Sequence, residues 1–226
     1  MAFAQIAQIF YEPTAAFNAL KEKPRAWLPL LLLIVSSAII VAWYFQTVDM
    51  AWLIDRSLPP DFPAERRATA AQFMTRNGML LTGLGGVVAG MPIVFALFGL
   101  YYTIAAKFTG MEISFGKGFA LAAWSALPGL IGFPLMALQI ATGHGQMAMQ
   151  DANMLSLNFL LVHARPFTPW ATFADSITVV TFWTIGLSVL GLRAWSGKSM
   201  ATCVTVAVLP YAIWYGCWAA KIAFLG

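Results

Sequence analysis

The sequence predicts an all-α membrane bundle of five transmembrane helices with short amphipathic helices ahead of them, and three observations carry that expectation. Of 226 residues, 60% are hydrophobic and only 10% are charged, with a mean hydropathy of +0.76. An average soluble domain carries about 25% charged residues, so much of this surface has to face lipid. The apolar residues also gather into five runs, each about as long as the twenty residues that cross a hydrocarbon core. Finally, the 13 bases stand in ones and twos between those runs, as Lys and Arg do where they flank membrane spans.

Residues 1–25 read as a pre-membrane segment, and 26–226 as the transmembrane domain. Phe3, Ile6, Phe10, Pro13, Phe17 and Leu20 recur at three- and four-residue spacing, which lays an apolar stripe along a helix. Pro13 splits that stripe, and Pro suits the first position of a new helix. Two short helices are expected, lying either on the membrane surface or against the protein's own spans. No basic start, apolar core and small-residue cleavage site occur here, so the first span reads as an uncleaved anchor.

That first span covers 26–48, with Lys21, Lys23 and Arg25 before it and Trp27, Trp43 and Tyr44 as interfacial aromatics. The connection 49–78 holds Pro59, Pro60 and Pro63, which stop any helix running out of the span. Pro63 to Arg76 reads as a short surface helix. The second span, 79–106, contains Gly83, Gly85, Gly86, Gly90 and Gly99. Gly86 and Gly90, four apart, make a candidate site for close helix packing. Pro92 should kink this span, and Lys107 closes it.

The third span is 118–142, with Pro128 and Pro134 inside. A long connection follows, in which Met154 to Val162 reads as interfacial or re-entrant because it is too short to cross. The fourth and fifth spans, 175–194 and 200–225, are joined by a junction holding Arg193, Ser196, Gly197 and Lys198, which makes them a tight antiparallel hairpin. Pro210 should interrupt the fifth. Cys203 and Cys217, fourteen residues apart, would stand about 21 Å from each other on one helix and cannot bridge.

With the N-terminus cytoplasmic, the inner segments hold seven bases: Lys21, Lys23, Arg25, Lys107, Lys117, Arg193 and Lys198. The outer segments hold six: Arg56, Arg66, Arg67, Arg76, Arg165 and Lys221. The tight flanking of the inner set favours this orientation and a location in the cytoplasmic membrane. A basic stripe on a water-facing element, which nucleic acid would require, is absent.

Two stretches resemble each other. Gly116-Lys117 precedes Leu127-Pro128, and Gly197-Lys198 precedes Leu209-Pro210, at offsets of 81 (198 − 117) and 82 (210 − 128). Real repetition would make the second–third and fourth–fifth hairpins parallel repeats.

The chemistry of an enzyme or an ion-coupled transporter is missing. Asp175 sits at a span end, and Glu112 and Asp151 lie in connections; intramembrane carboxylates persist only where they are used. His144, His163 and Asp151 match no metal-ligand spacing, so no metal is expected. Gly197-Lys198-Ser199 lacks the upstream glycine and strand of a phosphate loop, and no nucleophile–base set can be assembled. No cofactor is expected. Thr178, Thr181 and Thr184 repeat every three residues on one helix face. They read as a hydrophilic path or, preferably, as interhelical hydrogen bonds worth about 0.6 kcal/mol each.

Three segments together resemble the Yip family, membrane proteins named for interacting with Ypt/Rab GTPases, in its bacterial form. The first is Ile9-Phe10-Tyr11-Glu12-Pro13 through Phe17, then Lys23-Pro24-Arg25-Ala26-Trp27-Leu28-Pro29. The second runs from Lys107 through Phe115-Gly116-Lys117 to Leu127-Pro128-Gly129. The third runs from Phe182-Trp183 through Trp195-Ser196-Gly197-Lys198-Ser199 to Leu209-Pro210. Pro13, Lys117, Pro128, Lys198 and Pro210 are the residues that carry the likeness. The resemblance implies five spans and, from the eukaryotic relatives, a part in vesicle traffic with Rab GTPases. Those relatives carry a long cytoplasmic N-terminal region, whereas barely 25 residues precede the first span here, which speaks against GTPase binding.

The sequence therefore predicts a non-enzymatic scaffold or assembly protein whose partners are membrane lipids, other membrane proteins or itself, without nucleic acid. The rival expectation is a channel or carrier for a neutral or lipidic solute.

Overall fold

The computed structural model describes residues 2–59, 62–148 and 153–225. The chain is helical, with no strand among the described residues. Five helical stretches are long and apolar enough to cross a membrane: Trp27–Thr47, Arg76–Thr109, Phe115–Thr142, Val179–Ser196 and Met200–Phe224. The five expected spans are thus present, with their ends moved by a few residues. The fourth moves most at its start, since Asp175 belongs to a separate helix and Thr178 caps a new one. Two compact units divide the chain: Met1–Leu33 with Met91–Gly129 and Thr178–Gly226, and Ile34–Gly90 with Leu130–Ile177.

The first unit contains α1 (Ala2–Tyr11), α2 (Pro13–Leu20), α7 (Met91–Thr109), α8 (Phe115–Ser125), α11 (Val179–Ser196) and α12 (Met200–Leu225). Pro13 opens α2, where its missing N–H costs nothing. The two N-terminal helices pack on the protein's own spans. Ile9, Ala16, Phe17 and Leu20 are buried, and the Phe17 ring meets Trp195 of α11 edge-on at 5.7 Å. The Trp195 indole N–H donates to the Phe17 carbonyl at 2.7 Å. Phe17 lies in the last turn of α2, where carbonyls have no helical donor, so the indole closes that end. Trp124 of α8 likewise donates to the Arg25 carbonyl at 3.0 Å.

Glycine brings α7 and α8 together. A Cβ on Gly118 would stand 2.8 Å from the Gly99 carbonyl oxygen, and one on Gly99 would stand 3.0 Å from the Phe119 amide nitrogen. On α11, a Cβ on Gly191 would collide with Leu121 and with the Phe17 ring.

Pro210 does not interrupt its span: α12 runs unbroken past it. Proline removes the N–H that would bond the carbonyl four residues earlier, which is that of Val206. The Tyr101 hydroxyl of α7 donates to this oxygen at 2.7 Å, so the freed acceptor is satisfied from a neighbouring helix, as continuity through a membrane proline requires. Cys203 of the same helix is buried and Cys217 exposed, both as free thiols.

The second unit contains the later part of α3 (Trp27–Thr47), α4 (Met50–Ser57), α5 (Ala64–Phe73), α6 (Arg76–Gly85), α9 (Gly132–Thr142) and α10 (Pro169–Ser176). Its core joins Ile40, Val41, Tyr44, Phe45 and Val48 to Leu53 and Ile140. The Asp49 carboxylate caps α4 by accepting from the Ala51 and Trp52 amides, and the Asp49 amide donates to the Gly145 carbonyl at 2.9 Å. Gly145 has φ +79, and a Cβ there would stand 2.9 Å from the Thr47 carbonyl oxygen, so only glycine fits.

The expected surface helix over 63–76 is α5, and Arg76 instead opens α6. Arg67 pairs with Asp55 at 3.0 Å and also donates to the Pro59 carbonyl at 3.2 Å; Pro60 lies outside the described residues. Just ahead of Pro92, where a kink is expected, the chain forms a π-helical turn, Gly86–Gly90, between α6 and α7. Such a turn absorbs the hydrogen bond that proline cannot make. Pro128 falls in a 3₁₀ turn, Leu127–Ile131, between α8 and α9. The expected interfacial segment is a single π-helical turn, Asn158–Val162, ended by His163 at φ 50.

Candidate functional site

The residues singled out in the sequence separate by unit. Pro13, Lys117, Pro128, Lys198 and Pro210 all belong to the first unit, as do Thr178, Thr181 and Thr184. Gly86 and Gly90 belong to the second.

In the first unit two helical hairpins, α7–α8 and α11–α12, pack on each other chiefly through α8 and α11. Ser114 caps α8 by accepting from the Lys117 amide at 3.4 Å. Gly197, at φ +67, ends α11 in the left-handed conformation, which glycine adopts without strain. These two caps set Lys117 and Lys198 at the turns of their hairpins. The Lys198 ammonium lies 3.2 Å from the place a Cβ would take on Gly110, so the second hairpin reaches the turn of the first. A cleft of about 340 Å³ opens there, lined by Lys107, Glu112, Ser114, Lys117, Thr103 and Met111.

Two of the three threonines cap their own helix. The Thr178 and Thr181 hydroxyls lie 3.0 Å apart and form a reciprocal cap on the first turn of α11. The Thr184 carbonyl accepts from the Ser188 hydroxyl at 2.9 Å. Repetition every three residues suits a capping pair as well as a helix face, since the cap pairs positions three apart.

At Gly86 and Gly90 an added Cβ would meet nothing within 4 Å. The contacts inside the chain fall on either side of them, at Gly83 against Val41 and Phe45 and at Gly99 against α8. Composition flagged the glycine-rich run, but a contact depends on which face each glycine presents. Gly118 and Gly191 belong to runs with fewer glycines, where composition gives no such signal.

A smaller hollow of about 230 Å³ in the second unit is lined by Arg56, Asn158, Phe159, Phe167, Thr172 and Asp175. His144 and His163 both take positive φ in turns, while Asp151 lies outside the described residues. Among the described residues no three His, Cys, Asp or Glu side chains gather as metal ligands would.

Beside five apolar spans and two hairpins that each begin their second helix near a Gly-Lys pair, the family model of the Yip1 domain matches residues 7–220. The chain belongs to the Yip1 domain family. The matched range takes in α2, the first four spans and the fifth as far as residue 220, so this Yip1 domain protein is a multi-pass membrane protein. No curated protein and no solved structure matches it. Within the Yip1 domain, Tyr101, Trp124 and Trp195 are residues whose roles the sequence did not disclose. Their one signal was an amphipathic aromatic inside an apolar run, which in lipid needs a partner for its polar end.

Proposed function

We propose that this Yip1 domain protein is a non-enzymatic scaffold of the cytoplasmic membrane, with its N-terminus cytoplasmic, that holds another membrane span against its second span. The partner is a helix of a second membrane protein or of another copy. The observation that supports this reading is the open pair Gly86 and Gly90, set between two places where the same stretch is packed tightly. Small residues let helix backbones approach in lipid, where no hydrophobic effect drives association. The surrounding stretch, Arg76–Thr109, has few buried residues, with Val88, Ile93 and Leu97 exposed.

The test is photo-crosslinking in intact membranes from a reactive residue at Val88, followed by mass spectrometry. One protein partner, or a second copy, should be captured in high yield and lost in the Gly86→Leu/Gly90→Leu variant while that variant keeps its unfolding midpoint. Capture unchanged by the two leucines, or capture of lipid alone, would sink the scaffold reading.

A further inference from the structure

The geometry points to a binding site for one anionic phospholipid in the cleft at the α7–α8 turn, with the headgroup phosphate held by Lys107, Lys117 and Lys198. The three lysines come from three places in the chain: the last turn of α7, the first turn of α8, and the α11–α12 turn. Lys107 and Lys117 line one cleft of about 340 Å³, where Glu112 is the acid in the wall, and the Lys198 ammonium stands against Gly110, the residue before Met111 of that wall. None of the four has an ion-pair partner among the described residues. Three bases against one acid leave a surplus of two positive charges, and Thr103 and Ser114 add hydroxyls beside them. Solvated lysines that merely flank spans repel one another and spread out; here the fold sets Lys107 and Lys117 in one hollow and Lys198 beside the turn that walls it.

The second half of the argument is the surface leading to that hollow. Ile93, Leu97, Leu100, Ile104 and Phe108 of α7 are all exposed, from 47% at Ile104 to 87% at Phe108. Their spacing of four, three, four and four residues puts them on one face. From Ile93 to Phe108 that face runs about 22 Å along the helix at 1.5 Å per residue, longer than the roughly 15 Å of one leaflet's hydrocarbon. It ends beside Lys107, and Phe115, also exposed, stands at the start of α8. An acyl chain lying on this face delivers its phosphate to the lysines, which reach it by extending their apolar stems. A soluble phosphate would make no use of the stripe, and a zwitterionic lipid would leave the surplus charge unmatched. This site stands on observations separate from the open glycines, so it survives if the scaffold reading fails.

The experiment uses the full chain, purified in mild detergent and titrated with phosphatidylglycerol, phosphatidylcholine or inorganic phosphate, with retained adducts read by native mass spectrometry. One phosphatidylglycerol should be retained at least tenfold more tightly than phosphatidylcholine, without competition from inorganic phosphate. Each of Lys107→Gln, Lys117→Gln and Lys198→Gln should weaken retention roughly fivefold, the factor that about 1 kcal/mol per basic residue gives. Glu112→Gln should tighten it by a similar factor, a gain that a misfolded variant could not produce. Lys21→Gln/Lys23→Gln, which removes charge outside the cleft, should leave retention unchanged. Equal retention of the two lipids, full competition by inorganic phosphate, or an equal loss in the Lys21/Lys23 variant would each overturn the site.

Discussion

The Tyr101 hydroxyl and the Val206 carbonyl, 105 residues apart in the chain, lie 2.7 Å from each other, and Val206 is the residue whose oxygen Pro210 deprives of its helical donor. The tyrosine therefore restores a bond that the proline removed, and it does so from another helix. Removing it with Tyr101→Phe leaves an acceptor unpaired inside a membrane span. The expected cost is about 0.6–1.7 kcal/mol, the range for hydrogen bonds between membrane helices. In Pro210→Ala the helical donor returns, so Tyr101→Phe on that background should cost little. Reversible unfolding in bicelles of the two single variants and the double variant measures the difference. If Tyr101→Phe costs the same on both backgrounds, the two residues are not coupled.

Trp195 makes a comparable link at the N-terminal side, closing α2 through the Phe17 carbonyl at 2.7 Å. Trp195→Phe keeps an aromatic ring against Phe17 but removes the donor, and should cost about 1 kcal/mol. Hydrogen exchange over Pro13–Leu20 should speed up by roughly fivefold if the whole loss is local. Unchanged exchange there would mean that ring packing alone holds the segment.

The glycines divide by what faces them. At Gly118 an alanine Cβ would press on the Gly99 carbonyl at 2.8 Å, and a backbone wall cannot move aside as a flexible side chain can. Gly118→Ala should therefore destabilise the protein by about 1–3 kcal/mol. Gly86→Ala and Gly90→Ala meet open space and should change stability by under about 1 kcal/mol, if anything upward. Thermal unfolding of the three variants in one detergent decides it. A loss at Gly86 as large as at Gly118 would show that Gly86 is packed within the chain.

Five spans were legible in the sequence because the bilayer imposes length and composition locally, and each run such as Trp27–Thr47 satisfies both on its own. The functional surface was legible only in part. A pattern within the chain picks out Lys117 and Lys198, but that Lys198 comes to the α7–α8 turn beside the cleft Lys117 lines depends on how the hairpins pack. The links from Tyr101 and Trp195 span 105 and 178 residues, and no local period encodes such a pairing. Pro210 breaks a bond of its own helix, which is all that local sequence shows, while the compensating donor, Tyr101, sits on a neighbour. At the fourth span the apolar run continues across the break between α10 and the Thr178 cap of α11, so composition alone does not mark the start of the helix.

Arg76 performs for α3 the service that Trp195 performs for α2. Its guanidinium donates to the Phe45 carbonyl and, at 2.9 Å, to the Val48 carbonyl, around the C-terminal end of α3 where orphan carbonyls collect partial negative charge. The fork of two donors on one rigid plane reaches both oxygens at once, which a lysine's single ammonium does less well. Arg76→Ala should lower stability by about 1.5–3 kcal/mol, the range for hydrogen bonds from a charged donor, and Arg76→Lys by clearly less. The loss should appear as exchange of amides in the last turn of α3 and in α4, since Asp49 begins α4 immediately after the capped end. An Arg76→Lys variant as unstable as Arg76→Ala would show that the planar two-donor fork, and not charge at the helix end, is what Arg76 supplies.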